Sequence, residues 1–158
     1  MNLRFKLRNS FLAIKWSLYL FLLYTAIIIY KNHFIATIAG FTFFLIFFLP
    51  ELFLHIKYYI INSNKIYKIS SNSIIISDYI NEIVINKDDI QGIKLKKPAN
   101  LQDGWDVHLA GITCYYYLKV TLKSGEVYYF TNLLDPYIDK IFEQFGYKFY
   151  REKGIAWL

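Results

Sequence analysis

Residues 11–30 read FLAIKWSLYLFLLYTAIIIY and residues 34–49 read FIATIAGFTFFLIFFL. Lys15 is the one charge in the two runs. Twenty helical residues rise about 30 Å, the thickness of a bilayer's hydrocarbon core. Lys15 falls in the first turns, where a long side chain can snorkel to the head groups. Trp16 and Tyr30 stand near the two ends, as interfacial aromatics do. Lys31-Asn32-His33 is a three-residue polar break, so the two helices are expected to fold back as an antiparallel hairpin. The second helix can run on through Leu54, with Pro50 as a kink and Glu51 at the interface. A helix pair buried in a soluble protein would carry a polar face on each helix, and neither run does. A secretory leader would end in a small-residue cleavage site, whereas here a second apolar run follows at once.

The chain around these runs has 158 residues, of which 56% are hydrophobic, 20% aromatic and 19% charged. Its mean hydropathy is +0.28. That balance excludes a disordered chain, and it sits below the roughly 25% charge of ordinary soluble domains. One cysteine excludes a disulfide scaffold. The net charge of +6 is uneven. Residues 1–68 hold eight basic residues against Glu51 alone, and the remainder is nearly neutral. The cations flank apolar runs, which points to a membrane rather than to nucleic acid. Arg4, Lys6, Arg8 and Lys15 precede or open the first run, and Lys57, Lys65 and Lys68 follow the second. Both termini are therefore expected in the cytoplasm, with Cys114 in a reducing compartment. Ile, Lys, Asn, Tyr and Phe supply 78 residues, a usage that AT-rich genomes favour. By association this suggests a bacterium, and with it the inner (cytoplasmic) membrane.

The second half reads as short strands. Lys65–Ile69, Ser73–Ser77, Ile80–Ile85 and Ile93–Lys96 are β-like, separated by Ser71-Asn72 and closed by Pro98. Tyr115–Lys123 and Glu126–Thr131 flank Ser124-Gly125, a favoured two-residue hairpin loop. Pairing Lys123 with Glu126 sets Leu122 opposite Val127 and Val120 opposite Tyr129. Leu118, Val120 and Leu122 then share an oily face, and Lys119, Thr121 and Lys123 a wet one. A helix follows, with Asp135 as its cap and Pro136 at its first position. Ile138, Ile141, Phe142 and Phe145 form one apolar stripe, and Gly146 ends it. Residues 147–158 are a tail, either a further strand or an interfacial segment.

Residues 66–146 resemble the bacterial pleckstrin-homology-like domain. The features that carry the resemblance are Ser73-Ile-Ile-Ile-Ser77, Lys87-Asp-Asp-Ile-Gln-Gly-Ile93, Val120-Thr-Leu-Lys-Ser-Gly-Glu-Val127 and Thr131-Asn-Leu-Leu-Asp-Pro136. The resemblance implies an α+β fold, a bent antiparallel sheet or partial barrel capped by a carboxy-terminal helix. It also implies a docking module without a catalytic site. Phosphoinositide-binding residues do not carry over, because Ser70-Ser71-Asn72 offers no basic side chain. The expected organisation is a membrane hairpin over residues 1–61 and a cytoplasmic PH-like domain over 62–158.

Candidate chemistry is sparse. His33, His55 and His108 have no partner at metal-ligand spacing, and Cys114 lacks a His or Asp motif to activate it. Neither a catalytic residue, a metal nor a cofactor is expected. Asp88-Asp89 reads as solvated charge. Glu51 is expected at the interface, with a proton or ion ligand as its functional alternative. Lys94, Lys96 and Lys97 are candidates for lipid head-group contact. The long connection 98–113 carries Leu101, Trp105 and Leu109, the expected partner-binding residues. Ala36, Ala39 and Gly40 make a small-residue patch for close helix packing. The expected function is a non-enzymatic, membrane-anchored binding or scaffold protein. Its expected partners are membrane lipids and a membrane protein or a second copy, with no nucleic acid. The alternatives are an accessory subunit of a larger secretion or transport complex, or a membrane immunity or inhibitor protein.

Overall fold

The computed structural model describes residues 1–31, 34–102 and 111–157, without some side chains of the two long helices and of the segments flanking 103–110. The chain starts with strand β1 (Asn2–Arg4), then runs into helices α1 (Leu7–Lys31) and α2 (Phe34–Asn62). Strands β2 (Ile66–Ile69), β3 (Ser73–Ser77), β4 (Glu82–Asn86) and β5 (Ile90–Lys97) follow. A short helix α3 (Ala99–Gln102) comes next, then β6 (Tyr117–Leu122) and β7 (Val127–Thr131). Helix α4 (Ile138–Gln144) and strand β8 (Tyr150–Lys153) complete the described elements. Two four-stranded sheets result, with strand orders β1-β2-β3-β4 and β7-β6-β5-β8. The architecture is mixed α+β.

The first strand was not expected. Residues 2–4, read from sequence as a basic flank, pair antiparallel with β2, Leu3 opposite Tyr67. Leu3 is buried while Asn2 and Arg4 face outward. A three-residue strand has no readable period, and its partner lies more than sixty residues away. The chain thus enters the first sheet, leaves it for the two helices, and returns.

Alternation explains the main core. In β3, Ile74 and Ile76 point inward between half-buried neighbours, and in β2 Tyr67 and Ile69 alternate with the exposed Ile66 and Lys68. These residues meet Ile93, Leu95, Leu118, Val120 and Phe130 of the second sheet and Ile138 and Phe142 of α4. Burial of each such side chain contributes about 1.5–3 kcal/mol.

The β6–β7 hairpin corrects the expected register by one residue. Thr121 pairs with Val127, Val120 with Tyr128 and Leu118 with Phe130. The loop has three residues rather than two, because Gly125 adopts φ 93° and its N–H donates to the Leu122 carbonyl. A one-residue slip turns every side chain of β7 over. Tyr128 and Phe130, not Val127 and Tyr129, therefore join the main core. The outer face is not simply wet either: Tyr117 and Tyr129 pack there, their rings edge to face at 5.5 Å.

Helix α4 starts later than Asp135 and Pro136 suggest. The Asp135 carboxylate accepts the Tyr137 N–H at 2.8 Å, capping a turn that precedes the helix. The apolar stripe holds: Ile138, Ile141 and Phe142 are buried, and Phe145 packs against the core.

Candidate functional site

The last turns of α2 stand against the outer face of the second sheet. Glu51, Leu54, His55, Tyr58 and Asn62 recur at spacings of three and four and so share one helix face. Leu54 and Tyr58 are fully buried in a second cluster with Cys114, Tyr115, Tyr117, Leu133 and Ala156. The Tyr58 ring lies edge-on to Tyr115 at 5.3 Å and to Tyr117 at 6.5 Å. Its hydroxyl donates to the Ala156 carbonyl at 2.7 Å. The adjacent Tyr58 and Tyr59 thus part company: Tyr58 is sealed in protein, and Tyr59 stays exposed.

Polar side chains tie the two helices to the sheet and to each other. Asn9 of α1 donates through Nδ2 to the carbonyls of Leu133, at 3.3 Å, and Leu134, at 2.9 Å. His55 bridges two hydroxyls, Ser10 at Nε2 (2.5 Å) and Tyr115 at Nδ1 (2.7 Å). Asn62 donates to Thr131 and to the Tyr58 carbonyl. Ser17 donates to Glu51, whose other oxygen is buried without a hydrogen-bond partner among the described residues. Buried polar groups need such partners, since an unmade bond costs about 1–3 kcal/mol. Position 51 therefore lies inside a helix contact, with Glu51 buried rather than open at an interface.

Cys114 closes the short 3₁₀ turn Gly111–Cys114, which packs against both helices. Burial, with the Glu51 carboxylate nearby, pushes its thiol up to about 12. Such a thiol stays protonated and is a packing group rather than a nucleophile. Burial also raises the Tyr115 hydroxyl, again with Glu51 adding to it. At neutral pH this junction offers hydrogen bonds, not acid–base groups on Cys114 or Tyr115.

A second polar seam runs along β5. Lys94 and Lys96 both pair with Glu152 of β8, and Lys97 pairs with Asp139 of α4 at 2.8 Å. The Tyr116 hydroxyl also donates to Asp139, at 3.1 Å. Burial alone would raise the Asp139 carboxyl, but Lys97 and Tyr116 hold it below its ordinary value. Each lysine offered by sequence to lipid head groups thus faces a carboxylate of its own chain.

The remaining candidates are scattered. Leu101 packs half-buried against the main core. Trp105, Leu109 and His108 lie outside the described residues, as does His33. Gly40 backs onto α1: a Cβ there would fall on the Tyr24 hydroxyl. The side chains of Ala36 and Ala39 are outside the description. Asp88 and Asp89 are exposed on a 3₁₀ turn, where Asp89 accepts from Asn86 at 3.1 Å. No group of three potential metal ligands gathers among the described residues. Sequence reasoning missed Asn9, Ser10, Ser17, Tyr58 and Asn62. All but Ser17 lie just outside the two apolar runs, at the ends where those runs meet the sheet.

A family model described as PH domain matches residues 2–139. The chain belongs to the PH domain family. In this PH domain the match begins in β1 and includes both long helices, so the helix pair lies inside the matched fold. It ends within α4, before β8. No curated protein and no solved structure matches the chain. PH domains bind lipids or proteins, which makes binding or scaffolding the general role here.

Proposed function

We propose that the protein is a membrane-anchored, non-enzymatic binding module in which the helix pair holds the PH domain against the cytoplasmic face of a bacterial inner membrane. One observation carries this reading. Leu18, Leu20, Leu22, Leu23 and Ile27 of α1 are exposed, as are Ile38, Phe41, Ile46, Leu49 and Phe53 of α2. So much uncovered apolar helix needs a non-aqueous surrounding. Outward of the Ser10–His55 hydrogen bond each helix has twenty-one residues, about 30 Å of rise. Among the described residues, Gly40–Asn62 is long and apolar enough to cross a membrane, and Ser17–Ile27 is a shorter apolar stretch. Lys6, Arg8 and Lys57 fall at the sheet end of the pair, which supports cytoplasmic termini.

The polar junction gives the anchor its purpose. A flexible tether would let the domain tumble. Here Asn9, His55, Tyr58 and Asn62 fix its orientation, so one chosen surface meets partners at the membrane.

The test is membrane fractionation with a carbonate wash, combined with accessibility mapping of cysteines placed at Asn2 and between the two long helices, at positions 31–33. Retention in the washed membrane, with positions 31–33 reached only from the outside and Asn2 only from the inside, is expected. Release by carbonate would overturn the anchor, and the reverse labelling would overturn the orientation.

A further inference from the structure

We propose that the edge of β5 is a docking site for an extended segment of a protein partner that sets one carboxylate opposite Lys96, and that β8 occupies this site until the partner displaces it. The inference goes beyond the membrane reading and does not depend on it.

The attachment of β8 is unlike that of any other strand in its sheet. It pairs with β5 alone, parallel, Lys94 opposite Tyr150 through Lys97 opposite Lys153. None of its four side chains is buried, whereas β6 buries four of six. It lies beyond the stretch that the PH domain family shares. Its side-chain contacts include Glu152 to Lys94 and Lys96, Arg151 to Glu143 at 2.7 Å with both partners about half exposed, and the Tyr150 ring beneath the Lys94 ammonium at 5.6 Å. The exposed Arg151–Glu143 pair holds weakly, and the Glu152 pairs are partly open to water. Gly146 and Gly154, with φ 75° and 146°, bracket the segment and supply hinge points that other residues resist.

β5 does not need β8 to stay in place. Ile93 and Leu95 are buried, and β6 pairs with β5 along its other edge. Removing β8 would uncover a row of unpaired backbone groups beside two lysines. Such an edge accepts an added strand. The seated strand also defines what fits: a segment running parallel to β5, with a carboxylate opposite Lys96. Lys94 and Lys96 are two residues apart and point to the same face, so both reach that one carboxylate.

Displacement would have a consequence at the helix base. Past Gly154 the tail is clipped by two tyrosine hydroxyls, Tyr58 to the Ala156 carbonyl and Tyr117 to the Trp157 carbonyl. A partner that peels β8 away pulls on the clip beneath α2.

The experiment uses the full chain in mild detergent and a fluorescent peptide, FYREKGIAW, copied from residues 149–157. Glu152→Lys sets the native strand against Lys94 and Lys96 and frees the edge. The peptide is expected to bind this variant at least about tenfold tighter than the unmodified chain. A peptide with its glutamate changed to lysine should fail there, yet be preferred by the Lys94→Glu/Lys96→Glu chain. Equal binding of the two peptides, or none, would overturn the proposal. Hydrogen exchange on the unmodified chain gives a test that does not depend on any variant folding. Amides of 150–153 should exchange at least about 100-fold faster than those of 117–122, and equal protection would refute a displaceable strand.

Discussion

Along α2, Phe41, Ile46, Leu49 and Phe53 stand exposed, whereas Leu54, Tyr58 and Asn62, in the turns that follow Phe53, are sealed against the second sheet. The same helix serves two surroundings. Among the described residues its outer part presents apolar side chains in several directions, as the proposed lipid contact would require. Its inner part has a narrow buried face, and among the described residues each buried polar group there except one Glu51 oxygen and the Asn62 amide oxygen finds a partner. Hydropathy hardly distinguishes the two, because tyrosine and leucine serve both. The distinction lies in what covers them.

The sharpest way to break this comparison is to truncate one residue on each side. Tyr58→Ala removes a fully buried ring and the hydroxyl bond to Ala156. It should cost about 3–5 kcal/mol of stability in mild detergent. Phe53→Ala should cost within about 0.5 kcal/mol. Equal losses, measured by thermal unfolding, would mean that Phe53 is packed against protein after all. Asn9→Ala comes next, with about 1–3 kcal/mol expected, since two carbonyls lose their shared donor in a buried site.

A smaller effect separates the second polar seam from the junction. Asp139 is held below its ordinary value of 3.8 by Lys97 and Tyr116 against the opposing effect of burial. A depressed carboxyl adds stability above its unfolded value and loses it as pH falls through the lower folded value. Unfolding temperatures followed from about pH 5 to about pH 2 should therefore fall less steeply for Asp139→Asn than for the unmodified chain. The smallest perturbation is chemical. Cys114, buried and with its thiol raised to about 12, should resist maleimide in the folded protein and react on unfolding. Fast labelling of the folded chain would show that the junction opens.

Read by itself, the sequence determined the local order of this protein. The two long helices, the strands read at 65–69 and 73–77, the inward face Leu118-Val120-Leu122 and the stripe of α4 all follow from periods of 3.6 and 2. These are properties of neighbouring residues, so neighbouring residues reveal them. Tertiary structure alone decided the rest. Leu3 pairs across more than sixty residues, a three-residue loop moves β7 by one position, and β8 adds itself to β5 in parallel. The same is true of the candidate site. Asn9, His55, Tyr58 and Asn62 read as isolated polar residues until the sheet brings them Leu133, Tyr115, Ala156 and Thr131. A hydrogen bond fixes a partner only after the chain has closed the distance, and that closure is set by the packing of two sheets and a helix base.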